Sequence, residues 1–398
     1  MEYQRYQLRD IGDIVSGATP KTTVAENFGG AIPWLTPADL SGYTQKYISR
    51  GKRNLTQLGY DSCSTQIMPS GTVLFSSRAP IGYTAIAKNP ICTNQGFKSI
   101  VPKPFVNSEF LYYQLIYLRK TIQDMGSGTT FKEISAKKFG AVQVTIPPLV
   151  EQEHIISRIE ELFSQLDVSV NELKTAKERL KVYRQAVLKE AFDSVQDTCE
   201  VTTIQSVCED IKVGIVIKPT QYYVESGGIY AFRNANVRRG FIEDSDWAII
   251  SKEGHEKNKR SEVHTGDVLI ARSGVNLGMA SAVSEKFNGY NAIDVVIAVP
   301  KHERVLSQYL AYYTNSPYGM NSVKSNQRGV AQGHLNVTVY GKLPVMLPPL
   351  GIQKQVVSKI EEQLSICDEI EKTVDTALQQ AEALRQSILK KAFEGSLV

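Results

Sequence analysis

The sequence has no run of about 18 apolar residues, so nothing in it predicts a membrane-spanning helix. Its first residues, MEYQRYQLRD, are polar and charged, unlike a secretory signal. The five cysteines (Cys63, Cys92, Cys199, Cys208 and Cys367) are scattered and never spaced as CxxC. That argues against a disulfide framework or a zinc knuckle and for reduced thiols, so a cytoplasmic location is expected. The five histidines (His154, His255, His264, His302 and His334) show no metal-binding spacing and read as surface or structural residues. No G-x-G-x-x-G follows a strand, and no G-x-x-x-x-G-K-[ST] loop is present to cradle phosphates. No G-x-S-x-G elbow occurs, and no Asn/Asp-Pro-Pro-Tyr/Phe loop that would grip a flipped base. The chain therefore reads as a binding protein without chemistry, metal or cofactor of its own. Its net charge of +4 permits nucleic-acid binding without arguing strongly for it.

What the sequence does have is a second copy of itself. IPPLVEQEHIISRIEELFSQLD begins at Ile146 and is followed by RQAVLKEAF at Arg184. LPPLGIQKQVVSKIEEQLSICD begins at Leu347 and is followed by RQSILKKAF at Arg385. Pro147 and Pro348, Gln152 and Gln353, Asp167 and Asp368, Arg184 and Arg385, and Phe192 and Phe393 all stand 201 residues apart. A period this long is a duplicated domain-plus-helix unit, since solenoid repeats span about 20–50 residues. The segments ending each domain, 128–148 and 329–349, keep the same offset. The remainder repeats only loosely: GTVLFSSRAPIG (71–82) resembles GDVLIARSGVNLG (266–278), and GAIPWLTPADL (30–40) resembles GGIYAFRNANV (227–237).

Before each repeated segment the pattern is α+β, with short strand-like runs punctuated by Gly, Pro and Asn. After it, apolar residues recur at three- and four-residue steps, which predicts a heptad seam. In the first copy the seam is Ile159, Leu162, Leu166, Leu173, Leu180 and Val187, with Ala176 and Tyr183 between. In the second it is Ile360, Ile370, Val374, Leu384 and Ile388, with Gln363, Cys367, Ala377 and Ala381. The paired prolines block helix upstream. Helices are thus expected from near Val150 to Phe192 and from near Ile352 to Phe393, each on the order of 60 Å long. The expected division is a globular domain at 1–149, a long spacer helix at 150–194, a second domain at 195–349 and a second spacer helix at 350–398. A lone helix of this length cannot bury its seam. An antiparallel coiled coil of the two, with a domain at either end in pseudo-two-fold relation, is the simplest arrangement. Off the seam, Ile156, Phe163, Val357 and Ile366 could serve partner helices or pack on the chain's own domains.

The I/LPPL-x-x-Q segments opening helices that close in KEAF and KKAF, the domain-end stretches at Gly128–Ile134 and Gly329–Leu335, and the segments VLFSSR and VLIARS occur twice in the order domain–helix–domain–helix. In these features, over essentially the whole chain, the sequence resembles the specificity subunits of type I DNA restriction-modification enzymes. The resemblance implies two target-recognition domains, each reading half of a bipartite duplex sequence, on helices that fix the gap. It also implies two methyltransferase subunits and restriction/translocase subunits as partners. S-adenosylmethionine, ATP and magnesium would then be bound by those partners and not by this chain. A stand-alone duplicated DNA-binding regulator and a coiled-coil scaffold without DNA binding are the competing readings.

Candidate DNA contacts are polar residues in loops beside strands, since Arg suits guanine, Asn and Gln suit adenine, and most other contacts go to phosphate. In the first domain these are Lys21, Arg78, Asn94, Gln95, Lys98, Thr129 and Lys132. In the second they are Lys218, Arg233, Asn234, Asn236, Arg238, Arg239, Arg272, Asn276, Arg328 and Gln332. The stretch RNANVRRG (233–240) is the richest in base-reading types. A loop Lys or Arg is ordinarily a solvated charge, but Arg78 and Arg272 stand out because each follows the matching hydrophobic strand. Tyr112, Tyr113, Tyr312 and Tyr313 lie in helical context and are expected in the core.

Overall fold

The computed structural model describes residues 4–78, 80–128, 132–326, 334–395 and 397. Thr129, Arg328 and Gln332 lie outside them. The chain forms two compact units whose boundaries in the sequence fall within the long helices. One unit combines Met1–Leu173 with Thr376–Val398, and the other is Lys174–Asp375. Each unit thus holds a globular domain, the start of the helix that follows it and the end of the other long helix.

In the first unit a five-stranded sheet runs in the order Gly12–Ser16, Lys98–Pro102, Val73–Phe75, Thr84–Ala87, Tyr47–Ile48, antiparallel except for the last pair. Its central strand is apolar throughout because both faces are covered, and the two-residue period sends alternate side chains to different cores. Val73 and Phe75 join the core that holds helix Ser108–Tyr117 and the long helices, while Leu74 joins Ala85, Ala87 and Phe97 on the other face. The second unit repeats this with a four-stranded antiparallel sheet ordered Cys208–Val213, Val295–Pro300, Val268–Ala271, Ala280–Ala282. Val268 and Ile270 face one core, and Leu269 and Ala271 the other. A small parallel pairing accompanies each sheet: Trp34–Leu35 with Cys92–Thr93, and Phe232 with Ala292 in the strand pair Ile229–Phe232 and Asn291–Ala292. The loosely repeated sequence segments are therefore equivalent strands.

The long helices run Leu149–Asp193 and Leu350–Phe393. The invariant features of the repeat are what tie each helix to a domain. Gln152 is fully buried: its amide donates to the carbonyls of Phe105 (2.9 Å) and Pro147 (2.8 Å), and its oxygen accepts from the Asn107 N–H (2.8 Å). Gln353, equally buried, donates to Arg304 (2.9 Å) and Pro348 (2.8 Å) and accepts from Leu306 (2.9 Å). A residue that bridges the helix start, the chain entering it and a domain loop must be Gln, since it supplies two donors and one acceptor at the end of a flexible arm. Gln353→Ala takes the partner from three backbone groups that are buried or partly buried and is expected to destabilise the second unit by about 2–3 kcal/mol. Chemical denaturation checks this, and a loss near zero would show that water replaces the side chain.

Each helix ends in the unit it did not begin in. Phe192 is fully buried edge-on against Tyr309 (5.3 Å) and Tyr313 (5.2 Å) in the second unit. Phe393 packs on Phe110 (5.3 Å) and Tyr117 (5.6 Å) in the first. Within each unit the two helix segments pair antiparallel. In the second, Lys177 meets Asp375 (2.6 Å), Arg184 meets Asp368 (2.7 Å) and Glu371 (3.0 Å), and Lys359 meets Glu190 (2.9 Å). In the first, Arg385 pairs with Asp167 and lies 4.8 Å from the Phe163 ring. The Arg–Asp pair thus recurs in both units with the two helices exchanging roles. Water screens such exposed pairs, so they mark register more than they supply stability.

The seam differs from the strict heptad at Tyr183, which is 48% exposed, and at two positions of the second helix. Ile159, Leu180, Val187, Ile360, Val374 and Ile388 are buried, and Leu162, Leu166 and Leu173 are half-buried. Ile370 and Leu384, however, are 43% and 49% exposed. Glu371 and Arg385, one residue on, turn inward to the ion pairs instead. A helix with 3.6 residues per turn drifts about 20° per heptad, so the position facing the partner moves along the sequence. Of the off-seam residues, Ile156, Phe163 and Val357 pack on the chain's own domain cores, and Ile366 is exposed. Tyr113 and Tyr313 are buried as expected, with Tyr112 and Tyr312 partly buried beside them.

Candidate nucleic-acid interface

In each unit three segments chosen from the sequence meet at the end of the central strand. In the first, the Ser77 N–H donates to the Gly96 carbonyl (2.7 Å) and the Ile134 N–H to the Ser77 carbonyl (3.0 Å). This places Arg78, Asn94, Gln95, Lys98 and Lys132 in one neighbourhood. Glu133 organises the cations there, 3.6 Å from the Arg78 guanidinium and 3.9 Å from the Lys98 ammonium. Lys98 is buried, and burial pushes its ammonium below the ordinary lysine value; Glu133 opposes that shift and Arg78 reinforces it. Asn94 caps its own turn by accepting from the Gly96 N–H (2.9 Å), and Gln95 is exposed and bonded by the Thr19 hydroxyl. Lys21 is exposed on a separate loop, and its carbonyl accepts from Asn27 (3.0 Å).

In the second unit the Leu335 N–H donates to the Arg272 carbonyl (2.8 Å). Since Ile134 and Leu335 correspond, Arg272 is the structural counterpart of Ser77, one residue off the expected match with Arg78. Arg272 is held by Asp294 (3.3 Å), and Arg233 by Asp246 (2.9 Å). Each of these arginines has a buried Nε with no partner among the described residues. A guanidinium aimed by a carboxylate, with N–H donors to spare, suits the O6/N7 edge of guanine.

The asparagines of this stretch work differently from what their types suggest. Asn236 and Asn276 are almost fully buried. Asn236 donates to the carbonyls of Glu243 (3.1 Å) and Ser245 (2.9 Å) and accepts from the Arg233 N–H (2.9 Å). Asn276 donates to the Asn234 carbonyl (2.9 Å) and accepts from Arg238 (2.9 Å). Asn234 donates to Ser273 (2.9 Å) and the Asp294 carbonyl (3.0 Å) and accepts from the Arg272 N–H (2.7 Å). Their amides are engaged within the protein, so they shape the loops that carry Arg233, Arg238 and Arg272 rather than facing outward. Asn and Asp side chains favour such turn-bracing bonds, which composition alone cannot separate from base reading. Arg239 is exposed, lining a cavity of about 370 Å³ with Arg184 and Tyr312. Lys218 is exposed, with left-handed backbone (φ +43°) before Pro219. Sequence reasoning misses the organising acids Glu133, Asp246 and Asp294: Glu133 adjoins Lys132, but Asp246 and Asp294 stand 13 and 22 residues from the arginines they hold.

Among the described residues no cluster of His, Cys, Asp and Glu could hold a metal ion, and no helix is long and apolar enough to cross a membrane. The sequence profile of the type I restriction modification DNA specificity domain matches residues 1–178 and again 197–380, one match per copy of the repeat. The chain belongs to that family, and its part is target recognition rather than catalysis. Among its relatives, the MjaIX specificity subunit of Methanocaldococcus jannaschii is 29% identical over 380 residues, covering 89% of this chain and 85% of that one. The EcoKI specificity subunit of Escherichia coli K12 is 27% identical, covering 84% and 76%. A chain from a structural study of type I restriction-modification assembly and conformational transition superposes with a TM-score of 0.75 at 19% identity, covering 99% and 98%. The HsdS subunit of Thermoanaerobacter tengcongensis gives 0.53 at 18% identity, covering 99% and 97%. At such identities these structures bear on the fold alone.

Proposed function

We propose that the chain reads an asymmetric, bipartite duplex sequence, one half-site per globular domain. The long helices set the gap and receive two methyltransferase subunits and the restriction subunits. S-adenosylmethionine, ATP and magnesium belong to those partners. One contrast carries this reading. The elements that tie helix to domain recur at the 201-residue offset in both units, while the faces at the ends of the central strands differ: Arg78, Lys98 and Glu133 in one, Arg272, Asp294 and Asn234 in the other. Shared tasks hold the repeated residues fixed, and different half-sites allow the faces to diverge.

The test is sequencing of adenine methylation in cells with and without the gene. A two-part motif that disappears with the gene is the expected result, and an unchanged methylome rejects the reading. Arg272→Ala is expected to relax only the half-site read by the second domain, with each lost bidentate contact worth about 1–3 kcal/mol of discrimination. Binding selection on randomised duplexes reads this out, and equal loss in both halves would contradict independent reading.

A further inference from the structure

Beside the first unit's candidate face lies a cationic groove that none of the contacts above uses. Arg50, Gly51, Lys52, Arg53 and Asn54 line it with Phe28, Gly29 and Gly30, around a volume of about 680 Å³. Arg50, Lys52 and Arg53 are all exposed, and none has an ion-pair partner among the described residues. The groove is nonetheless ordered. The Arg53 guanidinium lies 4.7 Å from the Phe28 ring, and the Lys52 N–H donates to Asp39 (2.9 Å). The Asp39 carboxylate also accepts from the Thr36 N–H and hydroxyl (both 2.8 Å), so it is fully occupied in bracing the loop. Gly29, at φ +88°, has open space where a side chain would stand, which leaves room for a bulky anion beside the three cations.

Position links the groove to the candidate face. Gly51 packs so closely on Trp34 that an added Cβ would stand 2.4 Å from its carbonyl oxygen. Strand Trp34–Leu35 pairs with Cys92–Thr93, and the Asn94 N–H donates to the Leu35 carbonyl (2.8 Å). The cationic loop and the Asn94–Gln95 turn therefore flank the same short strand.

Among the described residues the second domain lacks the feature. Its corresponding loop leads to the helix cap Ser251 as residues 50–54 lead to the cap Thr56. There the sequence reads Ser245, Asp246, Trp247, Ala248, Ile249. Asp246 is paired with Arg233. Where the first loop carries three cations, the equivalent loop carries one paired acid and no cation.

We infer that Arg50, Lys52 and Arg53 grip the phosphate backbone of the duplex flanking the first domain's half-site, and that the second domain has no such grip. The inference rests on the proposed DNA-reading function. It adds a sequence-independent contact on one side only, because cations without base-edge geometry contribute affinity and not discrimination.

The test compares the full chain, alone and with the methyltransferase subunit it is proposed to bind, with the combined variant Arg50→Gln, Lys52→Gln, Arg53→Gln on duplexes with a randomised core. Each phosphate contact steepens the dependence of log affinity on log salt by about 0.9. Three lost contacts should flatten the slope by roughly 2.7, so between about 50 and 200 mM salt the unaltered chain should lose roughly 40-fold more affinity than the variant. The selected sequence should stay the same, and Arg50→Lys with Arg53→Lys should keep the steep slope. An unchanged slope, or a changed selected sequence, overturns the grip while leaving DNA reading intact. Failure of the unaltered chain to bind DNA in either form overturns the DNA-reading proposal and the grip together.

Discussion

Phe192→Ala is expected to destabilise the second unit by about 3–5 kcal/mol, the range for removing a fully buried aromatic ring. The ring closes a core shared by two parts of the chain that lie far apart in sequence. It ends the first long helix, yet it packs edge-on against Tyr309 and Tyr313 and among Ile204, Val268 and Tyr340 of the second domain's core. Neither aromatic partner can follow the truncation, because Tyr309 is fixed by its hydroxyl to the Met346 carbonyl (2.9 Å) and Tyr313 is buried on all sides. A cavity therefore remains. Hydrogen exchange should report the loss in the strands Val268–Ala271 and Val295–Pro300, with Val73–Phe75 of the first unit protected as before. Equal loss in both units would mean that they unfold as one and that the effect is not local to this core.

Removing one heptad from the middle of both long helices should change which DNA is bound rather than how stable the protein is. Seven residues shorten a helix by roughly 10 Å, close to the rise of three base pairs. They return the seam to nearly the same face, about 20° away. The Gln and Phe anchors at the helix ends remain in place, as do the ion pairs nearest them. On the proposed reading the preferred gap between half-sites becomes about three base pairs shorter, or binding is lost because the two readers no longer share one face of the duplex. Selection on duplexes of varied spacing measures the gap, and an unchanged gap rejects the helices as its determinant.

Much of the scaffold was legible in the sequence because its signals are local or periodic. Paired prolines stop a helix whatever the surroundings, and a three-and-four spacing of apolar residues predicts one. The helix boundaries accordingly fall within a few residues of those expected. The seam was less legible where the helices exchange apolar contacts for ion pairs: Ile370 and Leu384 fit the heptad, and Glu371 and Arg385 took the inward positions. Periodicity counts apolar residues, whereas the inward face also depends on which charged residue finds a partner across the interface. The candidate face divided similarly. Sequence matching picked segments that the fold brings together around Arg78 and Arg272, because they continue the most apolar strands. It could not separate the partly exposed Arg233, paired with Asp246, from the buried Asn236, three residues away in the same polar stretch.

The sequence by itself determined the duplication, the two long helices, the α+β character of the domains and the absence of built-in catalytic motifs. These follow from residue order and spacing, which survive without knowledge of neighbours. Tertiary structure alone decided what each repeated residue is for. Gln152 and Gln353 are buried bridges, Arg184 and Arg385 pair with Asp368 and Asp167 on the other helix, and each terminal Phe enters the core of the unit its helix did not start in. It also decided that the loop equivalent to the one bearing Arg50, Lys52 and Arg53 holds Asp246, paired with Arg233, and no cation. The reason is physical: a buried hydrogen bond or an ion pair joins residues that spacing does not relate, and only the folded chain brings them within reach.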